Sequence, residues 1–222
     1  MMIRKIASFL LCLVGFLLVL YCTGMISGVD TPPLFHAVMN NYSTDTLATN
    51  AVASIYLNYR IFDTVFEALM LLVSVMGVIH FSRHLEKKSL PENPKQSLGK
   101  ASIDSMSFLL PLIIMMGIYL ILNGQKTPGG GFQGGAMLCA ALICRYLVWP
   151  EKEINLDKYQ RIEKTLFLLL AITAVIFGVS AIYLQHIWLN PVYLIVMNTL
   201  IGFKVFCGLS IIFIRFVHYE DR

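Results

Sequence analysis

Five long stretches of this chain carry no charge, and that constrains the fold more than any motif. Ile6–Val29, Ala68–Ser82, Ser105–Gln125, Thr127–Cys144 and Thr165–Phe203 contain no Asp, Glu, Lys or Arg. A helix that crosses a bilayer needs about 20 mostly apolar residues, so each window holds most of a span. Ala68–Ser82 reaches full length if it starts near Val65 and takes in Glu67. Thr165–Phe203, at 39 residues, is too long for one crossing. Gln185, His186, Asn190 and Pro191 interrupt its middle, and proline suits the first turn of a helix. It therefore divides into Thr165–Gln185 and Val192–Ile214. The expected fold is an all-α integral membrane protein with six transmembrane helices.

Composition removes the alternatives. Of 222 residues, 57% are hydrophobic and 14% charged, where a soluble domain carries about 25% charge. So few charges cannot cover a water-soluble globule, and a chain this apolar is not disordered. Five cysteines, none spaced C-x-x-C, exclude a disulfide scaffold. Arg4 and Lys5 ahead of a leucine-rich run resemble a signal peptide. The uncharged stretch is 24 residues long with no A-x-A site after it, so a retained anchor is expected.

Basic residues set the orientation. Fourteen of the 17 Lys and Arg fall on one side of the six spans; Arg60 and Lys126 fall on the other, and Lys204 lies inside a span. Both termini are therefore expected on the cytoplasmic side. The linker His84–Lys100, with Pro91, Glu92, Asn93 and Pro94, separates two spans from four. In the external segment from Asp30 to about Asn58, Pro32-Pro33 and Asn40-Asn41 read as turns. Val52–Tyr59 reads equally as a short strand or as the start of the second helix. Asn41-Tyr42-Ser43 is a glycosylation triplet, a pattern common by chance.

Ionisable groups inside a span cost about 2.5–3.5 kcal/mol each and mark ion paths or buried pairs. Lys204 sits near the bilayer centre, too deep for its stem to reach an interface. It must meet a carboxylate or water on another helix, or lose its proton; a titrating lysine and a static ion pair are both open. Arg60, Asp63 and Glu67, spaced by three and four, share a helix face near the external end of the second span, and Ser74 continues it. Their oxygen ligands suit Na+ or H+ better than a transition metal.

The segment Thr127–Gly135 (TPGGGFQGG) joins the third and fourth spans. Gly129, Gly130, Gly131, Gly134 and Gly135 allow close backbone approach, and Gly131 and Gly135 form a G-x-x-x-G step continued by Ala136 and Ala140. It lacks the Gly-Lys-Ser/Thr ending of a nucleotide loop. The expected role of Pro128 and these glycines is close helix packing. The cysteines read as small apolar packing residues, and the histidines form no ligand spacing. No catalytic constellation, metal site or haem, iron–sulfur or flavin site is visible, and nothing suggests nucleic-acid binding. Trp149 and Trp188 fall at expected membrane interfaces.

Asn123–Gly135 (NGQKTPGGGFQGG) resembles the signature of the MnhB/MrpB family, one of the components of the multisubunit Na+/H+ antiporters, where an "hG-H-x-x-P-G-G-G-F-x-G-G" run joins two helices. Asn198–Val205 (NTLIGFKV) resembles that family's "G-x-K-V" in the last span. Gln125 stands where the family often has His. Asn50–Ala68 (NAVASIYLNYRIFDTVFEA) resembles a segment that ends the large antiporter subunit and occurs as a separate small (MbhE-like) subunit in energy-converting hydrogenases. That likeness puts Arg60, Asp63 and Glu67 on the segment's R, D and E; Val65-Phe66 replaces a Leu-Gly pair.

The resemblance implies two parts. Residues 1–90 are similar to the tail of the large antiporter subunit and hold two spans, and residues 91–222 are MnhB/MrpB-like with four. It implies a non-catalytic subunit of a cation/proton-translocating complex in the cell membrane. Expected partners are A-, C-, D-, E-, F- and G-like antiporter subunits, with hydrogenase or other oxidoreductase subunits, around a lipid-embedded core without cofactors. Glu67 and Lys204, with Asp63 and Arg60, would belong to or border an ion path. A purely structural scaffold is the rival expectation.

Overall fold

A computed structural model of the chain describes residues 34–82, 100–149, 156–184 and 190–218. The expected first span, the Pro32-Pro33 turn, most of the 84–100 linker and Trp188 lie outside them. The chain divides into two compact units, residues 1–38 and 39–222, and the packing described below is that of the second.

All regular structure among the described residues is helical. Helix α1 covers Leu34–Thr46, α2 covers Ala51–Ser54 and runs into a π-helical turn at Ile55–Tyr59, and α3 covers Ile61–Phe81. Helix α4 covers Lys100–Asn123, α5 Gly131–Val148, α6 Leu156–Leu184 and α7 Asn190–His218. Ile61–Phe81, Ser102–Asn123, Gly131–Val148 and Pro191–Val217 are each long and apolar enough to cross a membrane. They match four of the six expected spans. The expected span Thr165–Gln185 falls in α6, which starts nine residues earlier, at Leu156, so that its first turns are charged.

Other boundaries also differ from expectation. Asn40-Asn41 is not a turn: both residues are inside α1, because nothing flanking them provides a glycine or proline to stop the helix. Val52–Tyr59 is helix rather than strand. Asn50 starts it, its side-chain oxygen accepting from the N–H groups of Val52 at 3.1 Å and Ala53 at 3.4 Å. Arg60 closes the π turn and breaks the helix with φ −122° and ψ 36°. Helix α3 restarts at Ile61, which puts Asp63 in its first turn and Glu67 in its second.

Helix α7 is the axle of the bundle. It packs on α3, α4, α5 and α6, and half of its apolar window is buried. Lipid tails are as apolar as leucine, so helices in a bilayer associate through close packing and hydrogen bonds. One core joins Leu57, Ile61 and Ala68 to Leu170 and Ala174 of α6 and to Leu194, Met197, Ile201 and Val205 of α7. Residues from both sides of the 84–100 linker therefore share one interior.

Candidate functional site: a buried ion pair and a glycine-lined polar junction

Lys204 lies at the centre of the 29-residue α7. Its ammonium meets Glu163 of α6 at 3.1 Å, and both side chains are 0% exposed. Neither carboxylate oxygen of Glu163 nor the Lys204 ammonium has a further hydrogen-bonding partner among the described residues. Of the outcomes open to a buried lysine, the fold supplies the carboxylate on a neighbouring helix. Glu163 is a site residue that charge-free windows pass over, because it precedes the uncharged stretch beginning at Thr165. Only the packed bundle singles it out, on the buried stripe of α6 that Leu170 and Ala174 continue.

Arg60, Asp63 and Glu67 are not brought to Lys204. The Arg60 side chain donates from Nε to Asp63 Oδ2 at 2.6 Å. This pair is solvent-facing, with side chains 68% and 50% exposed, a setting in which ion pairs contribute little. Glu67 is exposed on α3, as is Ser74, whose hydroxyl donates to Met70 O at 2.9 Å. These three ionisable groups thus occupy an outward face of α3, whereas Lys204 is sealed within the bundle.

The glycine-rich segment sits between three elements. Gly129 and Gly130 adopt φ of +150° and +139°, conformations open only to glycine at reasonable cost. They turn the chain from α4 into α5, whose first N–H, at Gly131, donates to Asn198 Oδ1 of α7 at 3.0 Å. Tyr56 donates to the same oxygen at 2.8 Å. A Cβ at Gly131 would lie 2.8 Å from the Cβ of Ile201, and one at Gly135 would lie 2.9 Å from that of Val205. A Cβ at Gly134 would lie 2.7 Å from the carbonyl oxygen of Gly117 in α4. Gly131, Gly135 and buried Cys139 therefore face α7, while Gly134 faces α4. The expected continuation through Ala136 and Ala140 does not hold, since both are exposed; the contact line continues at i+4 from Gly135. Pro128 is also exposed, at the start of the turn.

Asn50 fastens the far segment to this turn. Its amide donates to Gly124 O at 2.7 Å and Thr127 O at 2.9 Å, and its backbone N–H to Gln125 O at 3.0 Å. Thr49 adds a bond to Lys126 O at 2.9 Å, and Tyr193 of α7 donates to Leu57 O at 2.9 Å. Burial pushes the Tyr56 phenol up to about 12; the bond to Asn198 opposes this and the charge of Glu67 adds to it. Asn50 and Tyr56 fall within the Asn50–Ala68 segment and Asn198 opens Asn198–Val205, but only the fold gives them these roles.

Comparison with known proteins gives a consistent set of likenesses. Residues 104–214 match a family described as "Domain related to MnhB subunit of Na+/H+ antiporter". An uncharacterized protein of Methanocaldococcus jannaschii is 29% identical over 203 residues, covering 76% of this chain and 77% of that protein. A protein of Staphylococcus haemolyticus described as "Putative antiporter subunit mnhB2" is 28% identical over 85 residues, 36% of this chain and 60% of that one. Among solved structures, one chain of the membrane-bound sulfane sulfur reductase, an archaeal respiratory membrane complex, superposes with a TM-score of 0.69 at 25% identity. It covers 99% of this chain and 100% of its own length. A chain of the Mrp complex from a Dietzia species superposes with a TM-score of 0.66 at 19% identity, over 99% of this chain and 26% of that one. At that identity the second likeness is one of fold.

Proposed function

Because this multi-pass membrane chain belongs to the MnhB family, we propose that it is a non-catalytic integral subunit of a Mrp-type cation/proton-translocating complex, with the Lys204–Glu163 pair bordering the ion path. The carrying observation is that pair, fully buried at the middle of α7 with no additional polar partner among the described residues. Two opposite charges out of water are costly to keep, and their separation or neutralisation is the kind of change a passing cation or proton can drive. Six spans with both termini in the cytoplasm, in the cell membrane, accord with the placement of 14 of the 17 basic residues on one side. Candidate neighbours are A-, C-, D-, E-, F- and G-like antiporter subunits. The likeness to a respiratory complex adds an oxidoreductase module as a candidate source of energy. Glu67, Asp63 and Arg60, exposed on α3, would face one of these neighbours, with Glu67 contributing an outer station of the path.

The scaffold reading draws on a different observation, the polar junction of Asn50, Tyr56 and Asn198 with the glycine turn. A double-substitution series separates the two readings. Glu163→Gln or Lys204→Met alone leaves one buried charge uncompensated and should destabilise by about 3–5 kcal/mol. Glu163→Leu with Lys204→Met should recover assembly. Loss of Na+-dependent proton flux in that assembled double variant supports the ion-path role. Undiminished flux per assembled complex would overturn it in favour of the scaffold.

A further inference from the structure

Glu67 is a charge on the outward side of α3 with no counter-charge among the described residues. Only 22% of the apolar window of this helix is buried, against 50% for α7. Glu67 lies six residues, about 9 Å, inside the start of α3. The helix is 21 residues long, about 31 Å and close to the thickness of a bilayer core. From that depth a two-methylene stem is too short to return the carboxylate to water. Glu67 is exposed, and among the described residues it makes no hydrogen bond and no ion pair. Arg60, one residue ahead of the helix, is held by Asp63, and Lys204 is sealed against Glu163. Met70, Ser74 and Gly77 continue the same side of α3 at spacings of three, four and three. The Ser74 hydroxyl is already satisfied by Met70 O at 2.9 Å, and a Cβ at Gly77 would meet nothing within 4 Å. The strip is low, and its one unmet demand is the carboxylate.

We propose that this strip docks a transmembrane helix of a neighbouring subunit, one that carries a lysine or arginine at the depth of Glu67 and lies along Met70, Ser74 and Gly77. This docking presupposes the subunit role proposed above, and adds which surface meets the neighbour and what chemistry the neighbour brings. Charge complementarity selects the occupant. Acyl chains offer a carboxylate neither counter-charge nor donor, and a charge within a span is expensive unless it faces protein or water. A second copy of this chain fits no better. Copies inserted the same way round meet at equal depth, which sets Glu67 against Glu67, and like charges repel. A basic side chain on a partner helix removes both objections. Small residues two and three turns further in, at Ser74 and Gly77, let the two backbones approach closely.

Photo-cross-linking from Met70, one turn from Glu67, tests this. The full-length chain with p-benzoylphenylalanine in place of Met70 is irradiated in its native membrane. The complex is then purified in mild detergent, and the cross-linked peptides are sequenced by mass spectrometry. The expected adduct is to a transmembrane segment of another subunit, with a Lys or Arg within about one helical turn of the adduct. Glu67→Lys should lower its yield about ten-fold, the scale of one interhelical polar contact. Replacing the partner's base by Glu in that background should restore the yield, which separates lost docking from lost folding. Adducts to lipid, to another part of this chain, to a second copy or to a partner helix without a base each overturn the proposal. So does a yield indifferent to Glu67→Lys, or a loss that the reversed pair does not restore. While other subunits copurify, these outcomes leave the subunit role standing; if none copurifies, that role fails and this docking with it.

Discussion

Asn198 is a small residue with a large share of the contacts at the polar junction. One oxygen receives Tyr56 from one segment and the opening N–H of α5 from another, so a half-buried phenol and a buried amide both depend on it. A buried donor left without an acceptor costs about 1–3 kcal/mol, which is why such groups come in matched sets. Tyr56 also ties stability to pH. Its phenol is raised to about 12 in the folded chain from an unfolded value near 10. Below about pH 10 both states hold a neutral phenol and the stabilisation is fully present. Between about 10 and 12 the unfolded chain ionises first, and the contribution is lost by the time pH passes the folded value. Thermal unfolding in detergent from pH 9 to 12 should show a steeper fall for the parent than for Tyr56→Phe. The variant should begin about 1 kcal/mol less stable for want of the hydrogen bond. Parallel curves would remove Tyr56 as the cause.

At the scale of elements, the glycines divide by what their neighbours leave room for. Gly134 and Gly135 of α5 stand against the backbones of α4 and α7, so any side chain would push the helices apart. Gly77 of α3 has nothing near the position a Cβ would occupy. Gly135→Ala should therefore destabilise by about 1–3 kcal/mol through overpacking, whereas Gly77→Ala should be neutral or stabilising by up to about 1 kcal/mol. Denaturation of both variants in mixed micelles checks the contrast, and equal effects would contradict the close-packing account. The G-x-x-x-G step is legible in the sequence because small residues at that spacing have one main use in a membrane helix. That Gly134 serves a second helix is not, since which neighbour lies on which side is a property of the assembled bundle.

At the scale of the molecule, the linker at 84–100 is a seam in the sequence but not in the interior. Ala48, Leu57, Ile61 and Ala68 are buried with residues of α6 and α7 in one core, and Asn50 holds the α4–α5 turn through three hydrogen bonds. A chain of residues 91–222 alone would expose the surface of α7 that covers Leu57 and Ile61. It should accumulate at lower yield and unfold at lower temperature than the full chain, and coexpression of residues 1–90 should restore much of the loss. A fully stable 91–222 fragment would mean that this shared core adds little.

The class of protein follows from the order of residues, because apolar length and sparse charge leave a bilayer as the only medium for such helices. So does the need of Lys204 for a partner, because a central lysine has no route to water. That the partner is Glu163 and not Glu67 emerges only when the helices pack. Both carboxylates lie on helices packed against α7, and only their rotation about those helices distinguishes them: Glu163 is on the buried stripe of α6, and Glu67 is on the outer face of α3. Charge-free windows mark where a helix enters the membrane, but the face it turns inward is fixed by packing.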